Sequence, residues 1–444
     1  MNRPLVNIGI VAVMLLGSPI YAADDDRAAQ KLNFANGLFQ RSFFEEAVEE
    51  YSAYIESVGE DAVPLEVWYH LGEAAYAAKA YDRALESFTH LETAGESAWR
   101  NKAQLSRGEV YYFLKDFEKA IATLTPLIAG EQPETIRARA MYYLGKAHFE
   151  VGHFSDAVTN FTRLIKELPE HPLAPYGSFQ LAYTYLAQGE RENAAMQFSE
   201  VAGSDADAAL RMESQFRAAQ AYDEIGWDKA ALGAYEVLRD EFPDAPFAEE
   251  ASMGLIWASF HEGKCAEAEG AIDAHLKRFP ETAQVVELEY IRANCLQQRG
   301  KNDEALDRLN RIRTDFSDSP FAGRALYKIA WIEYLNQNMD QARAQVTQFL
   351  QEYKDSELVG EGAFLLGTIL VAQGDYEDAQ QEFRLVAERY PNSEFGAEAQ
   401  FKSGECLEQL GMTDAAAQSF ETFVTRYPDH VLTAQAMLRA GDAR

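Results

Sequence analysis

Apolar and polar positions along this chain recur with two periods at once. At short range they follow the three- and four-residue spacing of an amphipathic helix; at long range the whole pattern returns after 37 residues. The stretch YPNSEFGAEAQFKSGECLEQLG at 390–411 has close counterparts in FPDAPFAEEASMGLIWASFHEG at 242–263 and FSDSPFAGRALYKIAWIEYLNQ at 316–337. Each places an aromatic residue, usually a proline and a short polar loop before a helix with small residues at matched places. Alanines stand at Ala47, Ala84, Ala120, Ala157, Ala194, Ala231, Ala268, Ala305, Ala342, Ala379 and Ala416, one step of 36 and every other step of 37 residues. Eleven units therefore fill the chain.

Other columns keep register with these alanines. Twelve residues earlier comes a small residue, as at Gly72, Gly145, Ala182 and Gly404, with Ile256 as the exception; four residues later comes a large apolar one, as at Phe88, Phe161, Tyr235 and Phe420. Glycine stands five residues before the alanine in seven units, at Gly152, Gly189, Gly226, Gly263, Gly300, Gly374 and Gly411. A glycine there ends a helix in the left-handed conformation, so the unit reads as helix, tight turn, helix. The small residue and the alanine let the two backbones approach, and the large residues at plus four and plus seven are expected to face the next unit. Tyr390-Pro391 and Ser319-Pro320 read as punctuation, with Ser319 and Ser393 or its neighbours as helix caps. One hairpin cannot bury both faces, so the expected fold is an all-α stack in which each unit touches its neighbours.

Composition narrows what such a stack does. A chain with 47% hydrophobic and 25% charged residues is too apolar for disorder. A net charge of −31, with no basic run, repels phosphate backbones and excludes nucleic acid as an expected partner. The start, MNRPLVNIGIVAVMLLGSPIYA, has one positive charge at Arg3, an apolar run of about a dozen residues, a Gly17-Ser18-Pro19 breaker and small Ala22. This predicts a signal peptide over residues 1–22, cleaved after Ala22. The apolar run is too short to span a bilayer, no cysteine follows the cut, and no later segment is long enough to cross a membrane. The mature chain is expected to be periplasmic, with no integral span.

Trp68, Leu71, Gly72, Ala84 and Phe88, in WYHLGEAAYAAKAYDRALESF, resemble the tetratricopeptide repeat family nearly residue for residue. Leu144, Gly145, Ala157, Phe161 and Pro169 repeat the match. The resemblance covers residues 28–430 and departs in period, since the family repeats every 34 residues and this chain every 37. It implies a right-handed superhelical solenoid of about eleven hairpins, with residues 431–444 as a capping helix. The longer loops with an aromatic-proline step resemble periplasmic members, such as the repeat lipoprotein of outer-membrane barrel assembly and the coordinator linked to the Tol–Pal system.

The resemblance also implies a concave groove lined by first helices, which binds partners. On this chain the lining falls fifteen residues before the alanine at Tyr142 and Tyr327, eleven before at Lys146, Tyr183, Trp257 and Trp331, and eight before at Tyr112, Phe149, Phe260 and Tyr334. The fifteen-before column also reads as framework. Trp257 and Trp331 stand where other units carry Asn36, Glu73, Glu109 and Glu405, a pattern that reads as solvated, so a tryptophan there suggests a ligand. Arg139 and Lys146, with Lys102 and Arg324, suit a carboxylate or an acidic peptide, or else form ordinary salt bridges with Glu109 and Glu150. Envelope proteins are the expected partners. A polysaccharide is the alternative, with Asn294, Gln297 and Gln298 beside Tyr290 as its polar contacts.

In an oxidising compartment Cys265 and Cys295, one unit apart, suggest a disulfide, against the simpler reading of buried small hydrophobes. No metal, cofactor or catalytic site is expected: the histidines fall singly or at spacings such as His148 and His153 that share no helix face.

Overall fold

The computed structural model describes residues 19–92, 98–129, 132–393 and 395–444. The expected signal segment lies outside these residues, apart from its last four positions, which fall in the first helix. Among the described residues there are no strands, and no helix is long and apolar enough to cross a membrane.

The helices pair in chain order as the spacing predicts: α1 (Pro19–Gln40) with α2 (Phe44–Val58), α3 (Leu65–Ala77) with α4 (Tyr81–Glu92), α5 (Ala98–Phe113) with α6 (Phe117–Leu124), α7 (Glu134–Glu150) with α8 (Phe154–Glu167), and α9 (Ala174–Gln188) with α10 (Arg191–Ala202). Then come α11 (Ala208–Glu224) and α12 (Asp228–Glu241). Five further pairs follow: α13 (Ala248–His261) with α14 (Cys265–Arg278), α15 (Val285–Gln298) with α16 (Asn302–Asp315), α17 (Pro320–Leu335) with α18 (Met339–Glu352), α19 (Val359–Gln373) with α20 (Tyr376–Arg389), and α21 (Gly396–Gln409) with α22 (Thr413–Arg426). A last helix, α23 (Thr433–Asp442), packs on α22. The chain divides into two compact units, residues 1–225 and 226–444, with the boundary at the turn between α11 and α12.

Every one of the eleven alanines is fully buried, and the plus-four residues are buried with them. The glycines twelve before show why the column is small. A Cβ on Gly145 would come within 2.5 Å of the Phe161 ring, one on Gly72 within 2.4 Å of Phe88 and one on Gly404 within 2.7 Å of Phe420. In these units the plus-four ring thus fills the glycine of its own hairpin, which differs from the expectation that it faces the next one; Tyr235 does face the next, lying against Gly254 of α13. The plus-seven residues do reach across, with Leu164 against Gly177 and Phe349 against Gly362.

All seven turn glycines adopt positive φ. The other four hairpins turn at the same position with Ser42, Lys79, Lys115 and Gln337, whose φ values lie between 60° and 65°. The left-handed residue is therefore demanded by the turn, and in four units an ordinary side chain bears its steric cost.

Between hairpins, Phe242, Phe279, Phe316, Tyr353, Tyr390 and Tyr427 are the C-caps of α12, α14, α16, α18, α20 and α22. Tyr353 lies against Gly323 and Tyr390 against Gly360, so the loop aromatic closes the open end of its own hairpin. Ser319 caps α17 by accepting from the Phe321 amide at 3.2 Å. Ser393 instead donates back to the Tyr390 carbonyl.

Within each unit the first helices of neighbouring hairpins touch: α3 with α5, α5 with α7 and α7 with α9 in one, α13 with α15, α15 with α17 and α17 with α19 in the other. Second helices of neighbouring hairpins make no contact of that extent. The array within a unit is pinched on the first-helix side, which puts the predicted groove residues on its inner face.

Candidate functional site

The floor of that face is the column eleven before the alanine, and in the first unit its acids bond to side chains of adjacent first helices. Glu109, on α5, is fully buried. Arg139 of α7 grips it with two bonds, Nε to Oε1 at 2.8 Å and Nη2 to Oε2 at 2.7 Å, and the Tyr76 hydroxyl of α3 donates to Oε2 at 3.3 Å. One hairpin earlier, Ser106 donates to Glu73 at 2.5 Å. Burial pushes the Glu109 carboxyl up to about 7, against the downward pull of the Arg139 guanidinium. The expectation of a solvated column is corrected here: its acids look polar in sequence because their partners sit on adjacent first helices, about thirty positions away.

Lys146 stands over three rings, with Nζ 4.8 Å from the Tyr112 centroid, 5.4 Å from Tyr142 and 5.8 Å from Tyr143. Burial lowers its pKa while Glu150 raises it. The structure thus gathers Tyr112, Tyr142 and Lys146 into one cluster and adds Tyr143, which the spacing did not flag. Tyr142 also meets core Phe161 at 6.3 Å, Phe149 pairs with Phe154 across the turn at 5.6 Å, and Tyr183 packs on Phe179 and Phe198. Arg139 is committed to Glu109, and in the other unit Arg324 is paired with Glu357.

In the second unit the inner face is aromatic. Trp257 and Phe260 lie 5.8 Å apart on α13, Trp331 and Tyr334 5.9 Å apart on α17, and Tyr327 leans on Phe349 at 5.8 Å. Both tryptophans are half-buried against the core, so their rings carry packing as well as an outward face. The Trp257 indole donates to Glu287 of α15 at 2.6 Å, which fixes its orientation. Two of the three polar groups expected to serve a sugar are engaged. Asn294 is buried and donates to the Tyr290 carbonyl, and Gln298 accepts from Cys265.

All three cysteines are buried free thiols. Cys265 and Cys295 share one core cluster as the register predicts, but the expected bridge is not formed: Cys265 donates to Gln298 at 3.1 Å, and burial beside Cys265 pushes the Cys295 thiol up. On the second-helix side, α12, α13 and α14 enclose a largely apolar hollow of about 400 Å³. Gly270, Ala271 and Ala274 of α14 are among the small residues that line it.

A stack of helical hairpins with side-chain bonds from one first helix to the next is a solenoid built to present an inner face. The tetratricopeptide repeat family model matches residues 32–98, 142–209, 292–357 and 364–431, about three-fifths of the chain, and the protein belongs to that family. A second family model, described as outer membrane lipoprotein, matches residues 209–303. Neither is a catalytic family. No curated protein matches the chain. Similar solved structures include a tetratricopeptide repeat protein from Parabacteroides merdae, 19% identical, covering 60% of this chain and 98% of that one, with a TM-score of 0.44. Others are the C-terminal part of a repeat protein from Cytophaga hutchinsonii, 17% identical over 58% and 98% with a TM-score of 0.46, and yeast Tom70, 12% identical over 95% and 96% with a TM-score of 0.39.

Proposed function

We propose that this protein is an exported, non-enzymatic scaffold of the periplasm that holds polypeptide segments of envelope proteins against its first helices, in envelope assembly, division or secretion. The observation that carries the reading is the pair of half-buried aromatic sets, Trp257 with Phe260 and Trp331 with Tyr334, on the inner side of their unit. Rings held by the core yet open on one side are suited to anchoring a partner's apolar residues. The leader-like residues 1–22 and the outer membrane lipoprotein match at 209–303 support the envelope setting. Residues 28–430 then form the working solenoid and residues 431–444 cap its end. Because Arg139 and Arg324 are paired and the chain carries a net charge of −31, the favoured segment combines apolar anchors with positive charge rather than being acidic.

The test starts from photo-cross-linking in intact cells, with the reactive group at Tyr334 on the inner face or at exposed Gln381 on a second helix, and identification of what each captures. Affinity for the captured segment is then measured for Trp257→Ala and Trp331→Ala at a temperature where circular dichroism shows both folded. Each is expected to lose about 2 kcal/mol, some thirtyfold in affinity. Equal capture from both positions, with unchanged affinity in both variants, sinks the reading.

A further inference from the structure

The turn between α7 and α8 brings together side chains that neither helix places on one face. His148 lies in the last turn of α7, and His153 is the N-cap of α8, with Asp156 in its first turn. Gly152 at φ +77° folds the chain back so that the His153 amide donates to the His148 carbonyl at 2.8 Å. The two imidazoles stand 5.9 Å apart, and His148 Nδ1 is 3.9 Å from Asp156 Oδ2. One nitrogen from each histidine and one aspartate oxygen all lie within 4.8 Å of one another. His148 Nδ1 is itself buried and has no hydrogen-bond partner, a state that costs free energy unless something else occupies the lone pair or proton.

The positions concerned, nine, four and one before the alanine, meet in other hairpins too. In the ninth, Asn338 donates to Glu333 at 2.7 Å between the first two of them. Elsewhere the nine-before position is mostly apolar, as at Leu38, Ala75, Tyr111, Leu296, Leu370 and Leu407. Packing therefore does not ask for a histidine at 148. The fourth hairpin differs from its siblings by holding a metal-ligating side chain at all three places.

We propose that His148, His153 and Asp156 form a binding site for a divalent transition-metal ion, Zn2+ being the ion that the donor set suits. Two imidazole nitrogens are borderline donors, and with one carboxylate oxygen they make a set that favours Zn2+ over Mg2+ or Ca2+. Zn–N and Zn–O bonds of about 2.0–2.2 Å put the ligand atoms of a tetrahedron a little over 3 Å apart, so the side chains close in by roughly 0.5 to 1.5 Å. His153 and Asp156 are exposed and free to do so. Three protein ligands leave a fourth position for water or for a group from a bound partner.

The experiment titrates ZnCl2 into tag-free, EDTA-treated protein by calorimetry and repeats the titration with Co2+ to read the absorption bands of tetrahedral coordination. One strong site per chain is expected, with Zn2+ raising the melting temperature. His153→Ala and Asp156→Asn, both at exposed positions, are expected to weaken that site at least tenfold and to abolish the tetrahedral Co2+ bands while leaving the metal-free melting temperature in place. Binding that is only weak and multiple, or a strong site unaffected by both substitutions, overturns the assignment.

Discussion

Glu109 in the third hairpin and Trp257 in the seventh occupy the same repeat position, eleven residues before the alanine, and they solve it in opposite ways. Glu109 is sealed by groups from both neighbouring first helices, two bonds from Arg139 and one from Tyr76. Trp257 spends its single polar atom on Glu287 and leaves its ring half-open. The repeat fixes where the Cα stands and which two helices flank it. It does not fix whether the position locks three hairpins together or offers a surface. In the first unit the floor of the inner face is an internal polar network; in the second it is a set of half-buried aromatic rings.

Breaking the network tests this contrast most severely. Glu109→Ala leaves the Arg139 guanidinium without its partner, and urea denaturation should show a loss of about 3 kcal/mol, near the lower end for buried pairs because Arg139 is partly exposed. A loss below 1 kcal/mol would make the two positions energetically alike. The pH profile sharpens the same point. With its carboxyl raised to about 7 in the fold, against roughly 4.3 in the unfolded chain, native Glu109 holds a proton that the unfolded chain has released between those values. Its contribution is fully present below about pH 4 and is lost as pH rises through 7, amounting to about 3 to 4 kcal/mol. Stability of the protein should therefore fall more steeply between pH 4.5 and 7 than that of Glu109→Gln. Parallel curves would mean that Arg139 outweighs burial. The smallest effect belongs to the tryptophan side: Trp257→Phe keeps the ring but deletes the bond to Glu287, and should cost about 1 kcal/mol with little change in helical content.

Much of the fold was legible because its determinants recur. The burial of the eleven alanines, the positive φ of the seven glycines and the aromatic C-caps all follow from columns visible in the sequence. The turns at Ser42, Lys79, Lys115 and Gln337 were harder to see as left-handed, since nothing in those residue types demands it; only their register with the glycines does. That the rings of Phe88, Phe161 and Phe420 pair with their own glycines and not, like Tyr235, with the next hairpin was not legible, because a column shows that a residue is large and buried but not in which direction it points. The site was less legible for a related reason. Glu109 reads as a surface acid unless Tyr76 and Arg139 are known to close over it. His148 and His153 do sit on different helices, as their spacing says; it is the turn that brings them together.

The pairing of ring and glycine also bears on how fast such a chain can find its structure. Phe161 meets Gly145 only sixteen residues away along the chain, and Phe88 meets Gly72 at the same separation. Loops of about that length close in well under a microsecond, so the decisive contact of each hairpin is local and its search is short. Folds dominated by local contacts lie at the fast end of folding rates. In a stack of this kind any hairpin can form first and its neighbours can zip onto it in either direction. The sequence thereby carries many equivalent starting points for folding, and no single hairpin is required as the nucleus.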